Sequence, residues 1–569
     1  MKKTFLLSCL MLAAMPVMAA YTGHVYVDKN KNGVFDQSEK PLAGIKVSDG
    51  LNVVETAAGG SFTLPGHERE RFIFITTPSG YKTFNRHYHK IEKKQSGYDF
   101  GLIPYSGRIR KNGSHRYIHI ADTEIFNTEN HADWVNNVRD YARNEQAAFI
   151  IHTGDICYEK GLKAHIKLMN TENMDCPVFY CIGNHDLVKG KYGEELFESI
   201  YGPVYYSFDA GNVHYVVTPM PGGDHAPGYT SDDVCRWLKN DLTHIRPGTP
   251  VVVFNHDLLT YEDTFIFKSK NAGSINLNEY NLKAWVYGHW HINYMKKQGD
   301  VYSVCTSSLD KGGIDHSTTA FRVMHVDSKG DFTSELRYTY LDKNICIASP
   351  AGVMASGVLP VAVNVYSSVS PVREVLYTCL ADGKPVLKNK RLLQSTDWSW
   401  NGELPLSHKY VGKELTLRVT ARFNNGEIAE AESNFICRTE KAVPLFSADW
   451  DNLSGNAKHS APVSAPLNLP LQLAWTNNVG ANLYMTSPLI HKGKVIVASV
   501  DEDLKGVGHV YALNGKDGTI LWSCPVRNSI KNSIAVDSDI VFAQDAQGFL
   551  YAIDTETGKL CWEKQLPVN

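Results

Sequence analysis

The sequence predicts a multidomain chain in which one α/β layered domain sits among all-β domains. Three observations predict it. At 569 residues the chain is too long for a single hydrophobic core, which implies about three to five domains. Between Tyr117 and about Tyr340, short apolar strands alternate with helical stretches, the pattern of an α/β layered fold. On either side the runs are short and alternating, broken by Gly and Asn turns, with no helical periodicity.

Composition sets limits on partners. Apolar residues make up 43% and charged residues 21%, as in ordinary globular protein. A net charge of -3 gives no reason to expect nucleic-acid binding. Residues 1–20 read as a secretory signal: Lys2 and Lys3, an apolar core from Phe5 to Met18, and small residues at Ala19 and Ala20. That run is too short to span a bilayer, and no later stretch is long enough for a transmembrane segment. The expectation is therefore an exported protein: periplasmic, cell-surface or secreted. Export permits disulfides, and Cys346, Cys379 and Cys437 are candidates for one. Spacing leaves the pairing open, and buried free thiols are the competing reading.

Residues 21–105 read as a small N-terminal β-sandwich, rich in Gly, Thr, Val and aromatics. Within it, Asp28, Asn30, Asn32, Asp36 and Glu39 occupy positions one, three, five, nine and twelve of a calcium-type loop, with Gly33 at the turn position. No helical pattern flanks the loop. The segment resembles the start of bacterial collagen-adhesin B-type repeats, as do Pro41 to Val47 and Gly59 to Leu64. The reading is structural Ca²⁺, against a solvated Asn/Asp/Gly turn that holds no ion.

Residues 112–342 form the α/β domain. His131 to Arg143 puts Trp134, Val138 and Tyr141 on one helical face. Thr230-Ser231-Asp232-Asp233 reads as a capped helix start ahead of Trp237 and Leu238. Tyr205 to Val217 reads as a hairpin turning at Gly211. Five strand-like runs each end in a potential ligand. Asp122 follows Tyr117 to Ala121, and Gly154-Asp155 follows Ala147 to Ile151. Gly183-Asn184-His185-Asp186 follows Pro177 to Ile182. Asn255-His256 follows Pro250 to Phe254, and Gly288-His289-Trp290-His291 follows Lys283 to Tyr287. Strand carboxyl ends are where α/β folds keep ligands, and Asp, Asn and His suit two divalent or trivalent metals held close together.

The C-terminal third is all β. Residues 345–440 alternate, with a hairpin signal at Asn424-Asn425-Gly426, and read as an immunoglobulin-like sandwich. Residues 441–468 read as a linker rich in Ser, Asn, Pro and Ala. Residues 469–569 repeat: Val510 to Trp522 recurs as Leu550 to Trp562, offset by 40 residues. That period with a closing Trp marks propeller blades, and the wording resembles pyrroloquinoline-quinone-type repeats. A closed propeller needs at least about four blades, so the expectation is a partial propeller: either the sequence is a fragment, or these two blades pack on a neighbour.

In their order, Asp122, Gly154-Asp155, Gly183 to Asp186, His256 and Gly288 to His291 resemble the calcineurin-like metallophosphoesterase signature. The resemblance implies a four-layer α/β sandwich and a dinuclear phosphohydrolase that attacks a phosphoester with a metal-bound hydroxide. It implies a first metal on Asp122, Asp155 and His291, and a second on Asp155, Asn184, His256 and His289, with Asp155 as the bridge. It gives His185 the proton donor's place, with Asp186 orienting it. The metals implied are Fe, Mn or Zn.

Two positions depart from the common pattern. The family's usual Asp-x-His is here Asp122-Thr123-Glu124. Asp155-Ile156-Cys157-Tyr158 and Val253 to His256 are similar instead to purple acid phosphatases, a branch in which a Tyr phenolate binds ferric iron. Either Tyr158 or Glu124 completes the first site. His225 and His316, in Gly-rich loops, are candidate substrate contacts, whereas His119, His152 and His214 read as structural. The competing function is a surface or periplasmic binding protein with an inactive phosphoesterase domain, its β-domains contacting surfaces or glycans. Against it, every essential position except that histidine keeps a competent residue.

Overall fold

The computed structural model describes residues 20–439, 449–460, 473–483 and 486–567. The signal-type segment up to residue 19 and most of the 441–468 linker lie outside the described residues. The five runs that precede the Asp, Asn and His residues are strands buried along nearly their whole length. Phe149–His152 and Val251–Phe254, for example, have no exposed residue. Strands buried on both faces take continuous β-branched and aromatic residues and pair in parallel, and both features appear here.

Two sheets carry the α/β domain. One runs Val178–Tyr180, Phe149–His152, His115–Ile120, Ala320–Val326, Phe332–Tyr338, with the first three strands parallel. The other runs Tyr206–Ala210, Val213–Val217, Val251–Phe254, Leu282–Tyr287, Val301–Cys305, Tyr294–Gln298. Its four middle strands are parallel. An aromatic core from both sheets packs between them. Tyr117 stacks on Phe149 at 4.7 Å between ring centres, and Tyr215 packs edge-on against both. Parallel strands share a direction, so each sheet delivers its carboxyl ends to one edge.

The helices follow their sequence signals. Ala132–Asn144 buries Trp134, Val138 and Tyr141 in a second core with Ile118 and Ile150. In Ser231–Thr243 the Thr230 side chain accepts from the Asp233 amide while Asp233 accepts from that of Thr230, a capping box that satisfies two orphan donors. The hairpin Tyr206–Ala210 to Val213–Val217 turns at Gly211, whose φ is +59°.

The remaining described residues are almost entirely β. Near the N-terminus, two small sheets enclose Val25, Val47, Phe62, Ile73 and Phe100. Residues 344–438 form two sheets around Val363, Tyr377, Leu417 and Phe435. At the C-terminal end stand two four-stranded antiparallel sheets, Leu489 to Pro525 and Ala535 to Gln565. They repeat in detail: Trp475 donates to Gly515 O at 2.9 Å, and Trp522 donates to Thr555 O at 3.0 Å. Each Trp closes onto the following repeat. Part of the stretch read as linker is built into this unit, because Trp450 bridges Ile490 and Asp451 O accepts from Val536 N. All ten described cysteines are unpaired, so Cys346, Cys379 and Cys437 form no disulfide.

The β units are fastened to the α/β domain by charge. Arg71 reaches Glu194 and Glu198 at 2.8 and 3.0 Å. Fully buried Arg322 donates to Thr306, Ser334, Cys305 O and Glu502 O. From the last repeat, Lys531 pairs with Asp315 at 2.7 Å and also with Glu502.

Candidate metal centre

The two strand edges bring the predicted ligands together. Asp155 Oδ2 lies 3.2 Å from His256 Nε2, which is 3.1 Å from Asn184 Oδ1. Ligand atoms of Asp155, His256 and His289 all fall within 4.8 Å of one another, and so do those of Asp122, Asp155 and His291. Asp155 belongs to both groups. His291 Nε2 is also 3.6 Å from Asp122 and 3.5 Å from Glu124. The first sheet supplies Asp122, Asp155 and Asn184; the second supplies His256, His289 and His291.

The backbone is bent to do this. Asp122, Glu124, Asp155, Cys157, Tyr158, His289 and His291 all have φ between +43° and +73°, a region costly for residues with a Cβ. Such strain gathers where side-chain aim outweighs local stability. Gly183 allows the closest approach: a Cβ there would stand 2.2 Å from Asp155 Oδ1. A Cβ on Gly154, where φ is +96°, would stand 2.7 Å from His256 Nδ1.

Electrostatics favour a cation. Burial pushes the Asp122 carboxyl well above its usual range, and the charges of Asp155 and Glu124 push it further. Burial alone would lower His256, but the hydrogen bond and charge of Asp155 outweigh it and raise the ring to about 9. His256 Nδ1 lies 2.7 Å from Thr153 O, which fixes the ring and aims Nε2 into the centre. Crowded carboxylates beside oriented imidazoles and a carboxamide make a donor set that fits two borderline-to-hard cations.

The neighbours of His185 differ from the expected pattern. Asp186 does not touch the His185 ring. Its buried carboxylate accepts from the amides of Asp155, Gly183 and Cys157 at 2.8–2.9 Å, tying the two ligand loops together. Asp224 takes the orienting place instead, 2.8 Å from His185 Nδ1. The sequence signal for Asp224 lies in Gly222-Gly223-Asp224: Gly223 packs on Asn184, where a Cβ would meet Asn184 O at 2.3 Å.

Other predicted residues fall around this core. Glu124 faces the first group and is held by Lys311, 2.9 Å from Oε2. Tyr158 is 44% exposed, with its ring 5.3 Å from that of His185. His225 is exposed beside Asp224, and His316 lies exposed in the loop that Ile314 N ties to His291 O at 2.9 Å. Neither has a side-chain partner among the described residues. Lys531 holds that same loop through Asp315 and also donates to Asn293 O, two residues beyond His291. Sequence reasoning missed Lys311 and Lys531 because both lie far from any motif.

His119, His152 and His214 have structural partners: Thr153 and Thr306, Thr123 and the Gly154 amide, and Asp209 and Asp241. In the N-terminal loop, Asp28 and Glu39 are buried while Asn30 and Asp36 hydrogen-bond each other. The Asp28 and Glu39 carboxylates accept from the amides of Gly33 and Lys29.

Comparison with known proteins agrees with this geometry. Residues 115–293 match the family model described as Calcineurin-like phosphoesterase, and residues 29–104 match the N terminal of Calcineurin-like phosphoesterase. Residues 472–569 match the model described as Outer membrane protein assembly factor BamB. A stretch of 215 residues, 35% of the chain, is 26% identical to Purple acid phosphatase 13 of Arabidopsis thaliana. The match spans 36% of that relative's length. Among solved structures, a conserved uncharacterized protein of Streptococcus pneumoniae, described as a predicted phosphoesterase, is 10% identical, covering 40% of this chain and 98% of its own, at a TM-score of 0.19. BamB of Moraxella catarrhalis is 12% identical, covering 45% of this chain and 59% of its own, at a TM-score of 0.13. No helix among the described residues is long and apolar enough to cross a membrane.

Proposed function

We propose, on the premise that residues 115–293 form a calcineurin-like phosphoesterase domain, that this protein is an exported phosphohydrolase working with two metal ions. The observation that carries the proposal is Asp155, shared between two ligand groups drawn from two sheets. In this reading Asp122, Asp155 and His291 hold one ion, completed by Tyr158 or Glu124. Asp155, Asn184, His256 and His289 hold the other. Bound as a pair, the ions supply a nucleophile from water at neutral pH and positive charge for the phosphate oxygens.

The chain's own groups do the rest. His185 lies at the rim, its amide donating to Asp155 Oδ1 at 3.0 Å, and it holds the proton for the departing alkoxide. Asp224 orients that ring through Nδ1, and its hydrogen bond helps raise the ring above its ordinary value. Asp186 locks the loops that carry Asp155 and Asn184. Tyr158 as a ligand would favour ferric iron; Glu124 would suit Mn or Zn. Asp28, Asn30, Asn32, Asp36 and Glu39 are assigned a structural Ca²⁺. The outer helix layers expected of a four-layer sandwich are supported by the helices packed against the sheets.

A chromogenic phosphate ester assay with metal analysis tests the reading. Metal-dependent turnover lost in His185→Ala and Asn184→Ala supports it. Full metal occupancy without turnover on any phosphoester supports the inactive, surface-binding alternative.

A further inference from the structure

Large apolar rings stand in solvent around this centre, each chained to a site residue. Phe126 is 56% exposed and stacks on Tyr158, with 6.2 Å between centres and 17° between planes. Tyr158 in turn lies against His185. On the second sheet's loop, Tyr261 is 74% exposed and stacks on Trp290 at 6.1 Å and 19°. Trp290 sits between His289 and His291, and its indole N–H donates to Asp257 at 3.1 Å, which fixes the ring. Each pair leaves one ring largely exposed, and an exposed face held by a stacked neighbour is a platform for another ring.

We propose that the substrate is a phosphoester whose organic group carries a ring with an apolar face, seated against Phe126 and Tyr261. The proposal rests on the phosphohydrolase reading. His185 is the group that meets the departing oxygen, so whatever carries that oxygen must pass the Tyr158–Phe126 stack. A linear polyol phosphate has no face to offer these rings, whereas a sugar ring or a nucleobase does. Lys311, the cation beside Glu124, is already paired with that carboxylate. Selection therefore falls on shape and stacking.

Full-length protein is assayed on glycerol phosphate, a hexose phosphate and a nucleoside monophosphate, as wild type, Phe126→Ala, Phe126→Tyr and Tyr261→Ala. Wild type is expected to favour at least one ring-bearing ester over glycerol phosphate by about tenfold in kcat/KM. Each alanine variant should erase about fivefold or more of that preference, through KM, while Phe126→Tyr retains it. Preference for the nucleotide alone identifies a base as the stacked ring; equal use of both esters identifies the sugar. Calorimetry with phenylphosphonate against propylphosphonate reads the same preference without turnover. Equal kcat/KM for glycerol phosphate and ring esters, or equal losses on all three in the variants, overturns the proposal. Loss of all turnover in wild type sinks the phosphohydrolase reading instead, and equal affinity for the two phosphonates would then overturn the ring proposal as well.

Discussion

Asp224 lies 2.8 Å from Nδ1 of His185 although 39 residues separate them. The acid next to His185 in the chain, Asp186, is spent on backbone amides. Burial works to lower His185, and the bond to Asp224 together with the charge of Asp155 raises it above its ordinary value. Asp224→Asn should therefore lower kcat about 10-fold to 100-fold on esters with poor leaving groups. It should do little on activated nitrophenyl esters, which leave without a proton, and metal content should be unchanged.

Asp186→Asn should behave differently. Its carboxylate joins the Asp155 and Gly183 loops, so weakening it should lower metal occupancy and thermal stability together, by about 1–3 kcal/mol. A spectroscopic metal count alongside a melting curve separates this from the Asp224 effect. Loss of kcat with full metal occupancy would instead give Asp186 a chemical role.

The first metal is read from colour. If Tyr158 is the ligand, the iron-loaded protein shows a visible charge-transfer band that Tyr158→Phe abolishes while Glu124→Gln keeps it. A colourless, iron-free and fully active enzyme excludes this assignment. Glu124→Gln would then lower first-site affinity about 10-fold to 100-fold.

Lys531 is expected to matter to a centre in another domain. Its ammonium is held between Asp315 and Glu502, and the Asp315 loop is bonded to His291 O. Lys531→Met leaves the buried Glu502 and half-buried Asp315 carboxylates without their shared cation and frees that loop. Metal affinity at the site using His291 should fall measurably by titration calorimetry, with Lys531→Arg restoring most of it.

Burial pushes the Glu198 carboxyl up to about 7, with Glu194 raising it further and Arg71 opposing. A carboxyl raised on folding adds stability below its unfolded value near 4.5, and that stability is lost as pH climbs through about 7. Wild type should thus lose up to about 3 kcal/mol between pH 4.5 and 7 relative to Glu198→Gln. Parallel melting curves across that range would refute the assignment.

Much of this was legible from residues alone. Continuous apolar runs such as Val251 to Phe254 announce strands buried on both faces, and the first few residues beyond each run are then edge residues. That is why Asp122, Asp155, Asn184 and His256 could be named before any fold was known. What stayed hidden depends on contacts between distant loops. Nothing in the order of residues tells whether Asp186 or Asp224 meets an imidazole, because the choice is made by how Gly223 packs on Asn184. The function of Lys531 depends on docking between two domains, which local periodicity does not encode. Trp450 reads as linker because its neighbours are polar; its bridge to Ile490 and the bonds of Asp451 to Val536 and His491 anchor the segment.

The division of ligands between two sheets has a thermodynamic consequence. Asp122, Asp155 and Asn184 stand on one sheet, and His256, His289 and His291 on the other, so metal bound there would act as a staple across the aromatic core. Binding and sheet cohesion are then linked quantities: each tenfold excess of metal over its dissociation constant adds about 1.4 kcal/mol against separation of the sheets. A substitution at Phe149 or Tyr215, far from any ligand, would register first as weakened metal retention.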